Sequence, residues 1–318
     1  MHPKKLNRLL FEISRNARIT TRELGKLLRT SQQSASYLVR SAIGKGKING
    51  FYTLADPARF GLITVLVLYH YTGTGKHGSE SIVQALHEHP WVTGLEECSL
   101  GADLVVEYCA PNLSFFNKQH QDFLHRFKDS IRMDAIYPLI VKHLYNRKYL
   151  LPRKASDDVI ISGDREPLAL TPGQKSVLRA LVLDPRSTML AVAQRCSMDV
   201  KTALKTKAEL ERQGVIRGYN ALIDHKKCGI RRRFFLLQPE SHEPQELERI
   251  LTFCRYHPNV LTAAKLIGTF ELLLTVERLD PETSTIHDLR KAFAIQRYQL
   301  IISSRQVKRT SVPETLLT

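Results

Sequence analysis

An internal repeat constrains the fold of this chain more than any other feature of the sequence. The segment GKINGFYTLAD, residues 46–56, returns as GVIRGYNALID, residues 214–224, at an offset of 168 residues. In each copy a glycine ends a helical stretch in the left-handed region, and an apolar, β-branched or aromatic run follows. A period of about half of the 318 residues indicates a duplicated module, not a short-period solenoid. The order helix, glycine, short hairpin predicts a winged helix-turn-helix in each half.

Composition narrows the class of partner. The formal net charge is +16 and the pI is about 9.7, which predicts attraction to polyanions. Residues 1–56 alone hold eleven Lys and Arg against three acidic residues. No apolar run approaches the roughly 18 residues of a membrane helix, and the N-terminus does not resemble a signal peptide. Five scattered cysteines argue against a disulfide framework. We therefore predict a cytoplasmic protein without a membrane partner, in which the first module is the most basic part.

Three short helices are predicted before the first glycine stop. Their apolar spacing gives a helix from about Lys4 to Ser14, a second helix capped by Thr20 or Thr21, and a third capped by Ser31 that ends near Ala42. The outer face of the third helix is polar. Gln pairs bidentately with adenine and Arg with guanine, whereas Ser and Tyr reach phosphates or base edges. The DNA-contacting residues predicted for this module, including two on the wing, are Gln32, Gln33, Ser34, Ser36, Tyr37, Arg40, Lys47 and Asn49.

The run ITTRELGKLLRTSQQSASYLVRSAIGKGKINGFYTLADP resembles the DNA-binding half of the Lrp/AsnC (feast/famine) transcription regulators, in helix spacing and in the helix-to-wing junction. The apolar pattern that follows, from Leu62 to Tyr145, predicts the order βαββαβ of a ferredoxin-like unit. That unit resembles the effector-sensing domain of the family. Its first strand is apolar on both faces, which implies a covered sheet; in the family, the cover is the sheet of a second subunit.

The second half repeats this organisation. Residues 151–169 are predicted to be a linker, residues 170–225 a second winged helix-turn-helix and residues 226–318 a second ferredoxin-like domain, after residues 1–57 and 58–150 in the first half. The fold class is therefore α+β, with the two domain types alternating. Lys207 stands where Val39 faces inward in the first copy, which predicts a rotated, shortened or loosely packed helix. The DNA-contacting residues predicted here are Lys201, Thr202, Lys205, Thr206 and Arg217. A basic run nearby, Lys226, Lys227 and residues 231–233, either extends the phosphate contacts or lines a strand edge.

The resemblance also implies a small-molecule effector, such as an amino acid. Family members have a Gly-x-x-acidic turn between the second and third strands of the sensing domain, near the effector pocket. The corresponding residues are Gly101 and Asp103 in a shortened first copy, and Gly268 and Glu271 in the second. An ordinary tight hairpin also favours glycine there, so both interpretations stay open.

The pattern of residues indicates neither a catalytic constellation nor a metal site or cofactor. We therefore predict a sequence-specific, double-stranded DNA-binding transcription regulator of tandem Lrp/AsnC type that is not an enzyme. Its sensing domains pair either within one chain, as a pseudo-dimer, or between chains, as a homodimer. Two alternatives remain open. One is a DNA-packaging protein without sequence preference; the other is a decarboxylase of sirohaem or a haem precursor, because such enzymes resemble Lrp/AsnC proteins.

Overall fold

The computed structural model describes residues 3–73, 76–151, 158–241, 243–279 and 284–317. The chain is an α+β protein in which each half carries three helices, a wing strand and a βαββαβ unit. The elements of the first half are α1 (Pro3–Arg15), α2 (Thr21–Leu28), α3 (Gln32–Gly44), β1 (Ile48–Ala55), β2 (Ile63–Tyr71), α4 (Lys76–Glu88), β3 (Val92–Leu100), β4 (Leu104–Ala110), α5 (Leu113–Arg126) and β5 (Ile131–Leu144). A short strand, β6 (Val159–Ser162), precedes the second half.

The second half repeats the order of the first. Its elements are α6 (Pro172–Leu183), α7 (Met189–Arg195), α8 (Val200–Arg212), β7 (Ile216–Ile223), β8 (Arg231–Pro239), α9 (Pro244–Tyr256), β9 (Val260–Leu266), β10 (Leu272–Arg278), α10 (Thr285–Ala292) and β11 (Ile295–Arg309). The sequence predicts that α10 starts at Glu282, a residue that lies outside the described ranges. Within the described ranges, no helix combines the length and apolarity needed to cross a membrane.

Side-chain caps fix where the short helices begin. The Glu23 and Ser34 N–H groups donate to the hydroxyls of Thr20 and Ser31, 3.2 and 3.1 Å away, at the starts of α2 and α3. In the second half, Thr171 forms a capping box at the start of α6, and Asp199 accepts from Thr202 at the start of α8. Because a cap satisfies backbone N–H groups that have no partner inside the helix, it sets the boundary locally. The caps predicted at Thr20 and Ser31 are confirmed.

The wings differ from the prediction. Gly46 and Gly214 have φ values of 62° and 72°, which confirms the left-handed glycine after each third helix. Each copy then supplies one strand and not a hairpin, and β1 pairs antiparallel with β7. The partner of each wing strand is thus the wing of the other half. Sequence patterns identify strands but not partners so far apart along the chain, which is why the predicted hairpins are wrong.

The two ferredoxin-like sheets join into one closed ring. Their strand orders are β5-β2-β4-β3 and β11-β8-β10-β9. The long strands β5 and β11 close the ring because the first part of each pairs with its own half and the last part with the other half. The sheets therefore pair within one chain, as in a pseudo-dimer. The strand faces that point into the ring carry buried apolar residues that pack together, among them Leu66, Leu68, Phe234 and Leu236. Helices cover the outer faces of the strands. This double cover explains why the strands are apolar on both sides.

Part of the predicted linker is ordered against the ring. Strand β6 pairs with the end of β5, an element that the sequence did not predict. Its last residue, Ser162, donates its N–H to the fully buried carboxylate of Asp56 at 2.8 Å, and Arg165 forms an ion pair with the same carboxylate. The connection between the halves is thereby fixed to the end of the first wing.

Candidate functional sites: the helix-turn-helix faces and an internal charged cavity

Helix α3 has one buried face and one exposed polar face. Ala35, Val39 and Ala42 are buried against the other helices of the first module. The opposite side projects to solvent, and Tyr37 is 65% exposed although it is a large aromatic residue. Of the predicted contact residues on this helix, Ser36 is half-buried and the others are exposed: Gln32, Gln33, Ser34, Tyr37 and Arg40. The structure thus brings the predicted α3 residues together on one accessible side of the helix. Four of them line an open groove: Gln32, Gln33, Ser36 and Arg40.

Helix α8 presents a different surface. Lys201, Thr202 and Lys205 are exposed and Thr206 is half-buried. The Thr202 hydroxyl donates to the capping carboxylate of Asp199 at 2.6 Å, so it already has a partner within the protein. At the centre of the same face stands Leu204, which is 49% exposed. The second face is therefore less polar than that of α3.

Lys207 does not distort α8, contrary to the prediction. Helices α3 and α8 both have 13 residues. The Lys207 ammonium lies 2.7 Å from the Glu211 carboxylate and 5.7 Å from the centre of the Tyr219 ring. A long Lys side chain can cover apolar surface with its stem while its charge stays at the edge, so the inward position is tolerated.

The predicted wing residues are less exposed than those on the helices. Lys47 and Arg217 are half-buried. Asn49 is exposed, and its amide donates to the Asp224 carboxylate of the other wing at 3.4 Å. The wings are thus part of the joint between the two halves, and the DNA contacts of these three residues stay a prediction.

The glycine turns of the two sensing domains touch the opposite half. Gly101 has a φ of 81°, and its carbonyl accepts from the Gln299 amide at 2.9 Å. The Asp103 carboxylate accepts the Tyr71 N–H at 2.9 Å. In the second half, Gly268 packs closely on the Tyr137 ring of β5, and Glu271 takes part in backbone pairing at the hairpin. These contacts explain the glycines through turn geometry, and an effector role of the four turn residues stays a prediction.

A cavity of about 80 Å³ lies where the paired wings meet the ring. Wing residues Tyr52 and Asn220 line it from one side. On the ring side, the cavity is lined by several charged side chains that are largely buried. The charged side chains that line it and form ion pairs there are Glu96, Glu107, Lys142, Arg147, Arg232 and Arg309.

Glu277, beside the cavity, joins this group into one cluster. Its carboxylate accepts from Arg147 at 2.8 Å, from Arg232 at 2.7 Å and from the Tyr149 hydroxyl at 2.7 Å. Arg232 also lies 2.8 Å from Glu96. Burial alone would raise the pKa of Glu277, but the two neighbouring guanidinium groups lower it from 4.5 to about 2. The carboxylate is therefore ionised across the physiological range.

The second part of the cluster is built around Glu107. Arg309 lies 2.6 Å from its carboxylate, and Lys142 forms an ion pair with the same group. These two cations lower the pKa of Glu107 to about 2 against the opposing effect of burial. Burial and the nearby Arg309 charge lower the pKa of Lys142 from 10.5 to about 8. The ammonium form of Lys142 is therefore less favoured than that of an exposed lysine.

This buried cluster was not recognised in the sequence. Arg232 belongs to the basic run that was expected to contact phosphates or line a strand edge, yet its side chain is only 10% exposed. One signal in the sequence could have identified the cluster. A charged residue within an otherwise apolar strand, such as Glu107 within LVVEYCA, indicates a buried charge. Such charges are rarely buried without partners.

Comparison with known proteins gives a likeness at the level of structure alone. No protein-family model matches the sequence, and no curated protein does either. The crystal structure of the siroheme decarboxylase NirDL aligns with a TM-score of 0.58 at 14% identity, covering 98% of this chain and 97% of NirDL. NirDL in complex with an iron-uroporphyrin III analogue aligns equally well, at TM-score 0.58. A transcriptional regulator from Neisseria meningitidis, solved with L-methionine, covers 47% of this chain at 21% identity and a TM-score of 0.42.

The match to NirDL extends over the whole chain. The prediction that this protein is not an enzyme is contradicted by this match, because a protein that is similar in structure over 98% of this chain is a decarboxylase. At 14% identity the likeness establishes the fold, which confirms the α+β class. Which activity accompanies the fold must be argued from the residues of this chain.

Proposed function

We propose that the protein is a double-stranded DNA-binding transcription regulator that reads sequence mainly through α3. The observation that carries this proposal is the exposed face of Gln32, Gln33, Tyr37 and Arg40 on a helix whose other face is buried. Amide groups in the first turn of such a helix, and a guanidinium group on the same face about two turns further on, are suited to base edges in the major groove. The net charge of +16 supplies the sequence-independent attraction to phosphates.

The two DNA-binding modules are not equivalent. At the 168-residue offset, Gln32, Ser36, Tyr37 and Arg40 correspond to Val200, Leu204, Lys205 and Ala208. Three polar positions thus become apolar in α8, which retains Lys201 and Lys205 as exposed cations. We infer that α3 reads bases and that α8 mainly binds phosphates. One chain would then prefer an asymmetric site.

Selection from a random duplex pool, followed by binding measurements across a salt series, tests this proposal. Arg40→Ala should weaken binding to the selected sequence by about 1 to 3 kcal/mol and binding to random DNA far less, as expected for a bidentate base contact. Arg249→Ala is the matched control, because Arg249 is exposed on α9, in the second ferredoxin-like unit. Recovery of no enriched sequence, or equal weakening on both DNAs by Arg40→Ala, would count against base reading and would favour DNA packaging.

Decarboxylation of a carboxylated tetrapyrrole is the second candidate. The full-length likeness to the siroheme decarboxylase NirDL favours it, as does a cation-rich interior that suits carboxylates. The size of the cavity makes decarboxylation less favoured than DNA binding. Its volume of about 80 Å³ is well below the roughly 300–1,000 Å³ of pockets for larger ligands. A tetrapyrrole would therefore need another surface or an opened joint.

The same purified protein tests the second candidate. Incubation with siroheme, followed by mass spectrometry, should reveal loss of carbon dioxide if a side-chain carboxylate is replaced by hydrogen. An unchanged mass, together with no shift of the siroheme absorbance on mixing, would refute this activity. Because the DNA assay contains no siroheme, the two outcomes are independent.

A further inference from the structure

We propose that the cavity between the wings and the ring is a binding site for a small monocarboxylate. Its charge balance is the first argument. Among the described residues, the ion-pair cluster contains four cations and three carboxylates: Lys142, Arg147, Arg232 and Arg309 against Glu96, Glu107 and Glu277. An unbalanced buried charge is costly, and one bound anion would neutralise it.

An unpartnered donor is the second, independent argument. The Nε–H of Arg232 is buried and has no hydrogen-bond partner, whereas both Nη atoms of the same guanidinium bind carboxylates. Buried donors in folded proteins are normally satisfied, so the position calls for an acceptor. Arg232 is one of the residues that line the cavity, so we infer that a carboxylate bound there supplies this acceptor.

The size and lining of the cavity define the ligand class. A volume of about 80 Å³ admits roughly five water molecules or an organic acid of similar heavy-atom count. Apolar side chains, among them Val105, Phe234 and Leu273, form part of the wall. This combination suits a carboxylate with a short apolar tail, such as acetate or propionate. The single excess cation favours one carboxylate group, and the volume excludes sugar acids.

The position of the cavity gives the ligand a structural consequence. Tyr52 from β1 and Asn220 from β7 form its wing side, whereas the charged cluster belongs to the ring and the segment after β5. A bound carboxylate would therefore lie between the paired wings and the ring. The proposal rests on neither of the activities proposed above, and it would hold whichever of them proves right.

Thermal denaturation of the full chain at constant ionic strength tests the proposal. Acetate and propionate should raise the Tm by about 3 to 5 °C at one hundred times their Kd, by preferential binding to the folded protein. Gluconate, which is too large, and acetamide, which is neutral, should have no such effect. Equal shifts with gluconate or acetamide would overturn the proposal.

Lys142→Met localises the effect. It removes one cation and balances the cluster, so the Tm shift with acetate should disappear. The matched control is Lys265→Met, because Lys265 also pairs with a glutamate, Glu248, but does not line the cavity. A shift retained in Lys142→Met would place the anion elsewhere and overturn the assignment.

Fluorine NMR of trifluoroacetate with the wild-type chain keeps the test decisive if Lys142→Met does not fold. Trifluoroacetate should show a bound or broadened resonance that acetate reverses and gluconate does not. A resonance unaffected by the protein would refute the site.

Discussion

We expect the charge of Glu277 to make a measurable contribution to the free energy of unfolding. Its side chain is 2% exposed, and Arg147 and Arg232 hold its pKa near 2, against an ordinary value of 4.5. At 1.36 kcal/mol per pKa unit, this shift corresponds to about 3 kcal/mol of stability at neutral pH. Glu277→Gln removes the charge and leaves two buried guanidinium groups, which also costs about 3 kcal/mol or more. Urea denaturation at pH 7 should therefore show a loss of about 3 kcal/mol in the free energy of unfolding.

The pH dependence identifies the cause. Because the folded pKa is the lower one, the unfolded carboxyl takes up a proton first as the pH falls, and stability is lost between about pH 4.5 and pH 2. By pH 4 the wild-type advantage over Glu277→Gln should have narrowed by about 0.8 kcal/mol. Titrating groups outside the charged cluster cancel in this difference, because both proteins contain them in the same surroundings.

The control is Glu248→Gln, in which an exposed ion pair with Lys265 is lost. Glu248 is 65% exposed, so the expected cost is below about 1 kcal/mol. A Glu277→Gln cost under about 1 kcal/mol, or a cost that stays constant from pH 7 to pH 4, would refute the assignment of Glu277 as a buried, stabilising charge.

Three further predictions concern single positions. Gly101→Ala should lower the free energy of unfolding, measured by urea denaturation, by at least about 2 kcal/mol, because φ is 81° and an added Cβ would collide with the Leu300 carbonyl. Gly218→Ala is the control and should change stability little, because the space around Gly218 is open. Equal losses in the two variants would contradict this explanation. Thr171→Ala should cost about 1 kcal/mol by loss of the α6 cap, and Thr171→Ser should restore it; failure of serine to do so would contradict the cap. His89 should titrate near pH 4 by NMR, because burial and the Lys308 charge lower its pKa; a value near 6.5 would contradict its burial.

Local features of the fold were predictable because their causes are local. The caps at Thr171 and Asp199, the left-handed glycines after α3 and α8, and the alternation of helix and strand all follow from neighbouring residues. The exposed polar face of α3 follows from helical periodicity in the same way. These features depend on contacts within a few residues along the chain.

The remaining features depend on contacts between the halves. The wing strands pair across 168 residues, as in Tyr52 with Asn220, and β5 is shared between both sheets. The charged cluster combines side chains from several strands, so that Glu107 and Arg309 are more than two hundred residues apart in the sequence. A single sequence carries no signal for such partners, which is why the cavity was missed and the hairpins were mistaken.

Strand register aligns the two halves, and their equivalent positions in the charged cluster have diverged in a complementary way. Glu107 is equivalent to Thr275 and Glu96 to Ala264, whereas Arg232 and Arg309 are equivalent to Thr64 and Leu144. In each of these four pairs of equivalent positions, only one of the two residues is charged.

Because of this difference, a first half should pair better with a second half than with another copy of itself, and the same holds for a second half. In two copies of the first half, Thr64 and Leu144 would take the places of Arg232 and Arg309, so Glu96 and Glu107 would lose these arginine partners. Two copies of the second half would lack Arg147 beside Glu277. If the chain were divided between β5 and β6 and the fragments produced together, we expect them to reassemble as an unlike pair, in preference to either like pair. Fusion into one chain thus relaxed the self-complementarity that a symmetric dimer imposes on its interface.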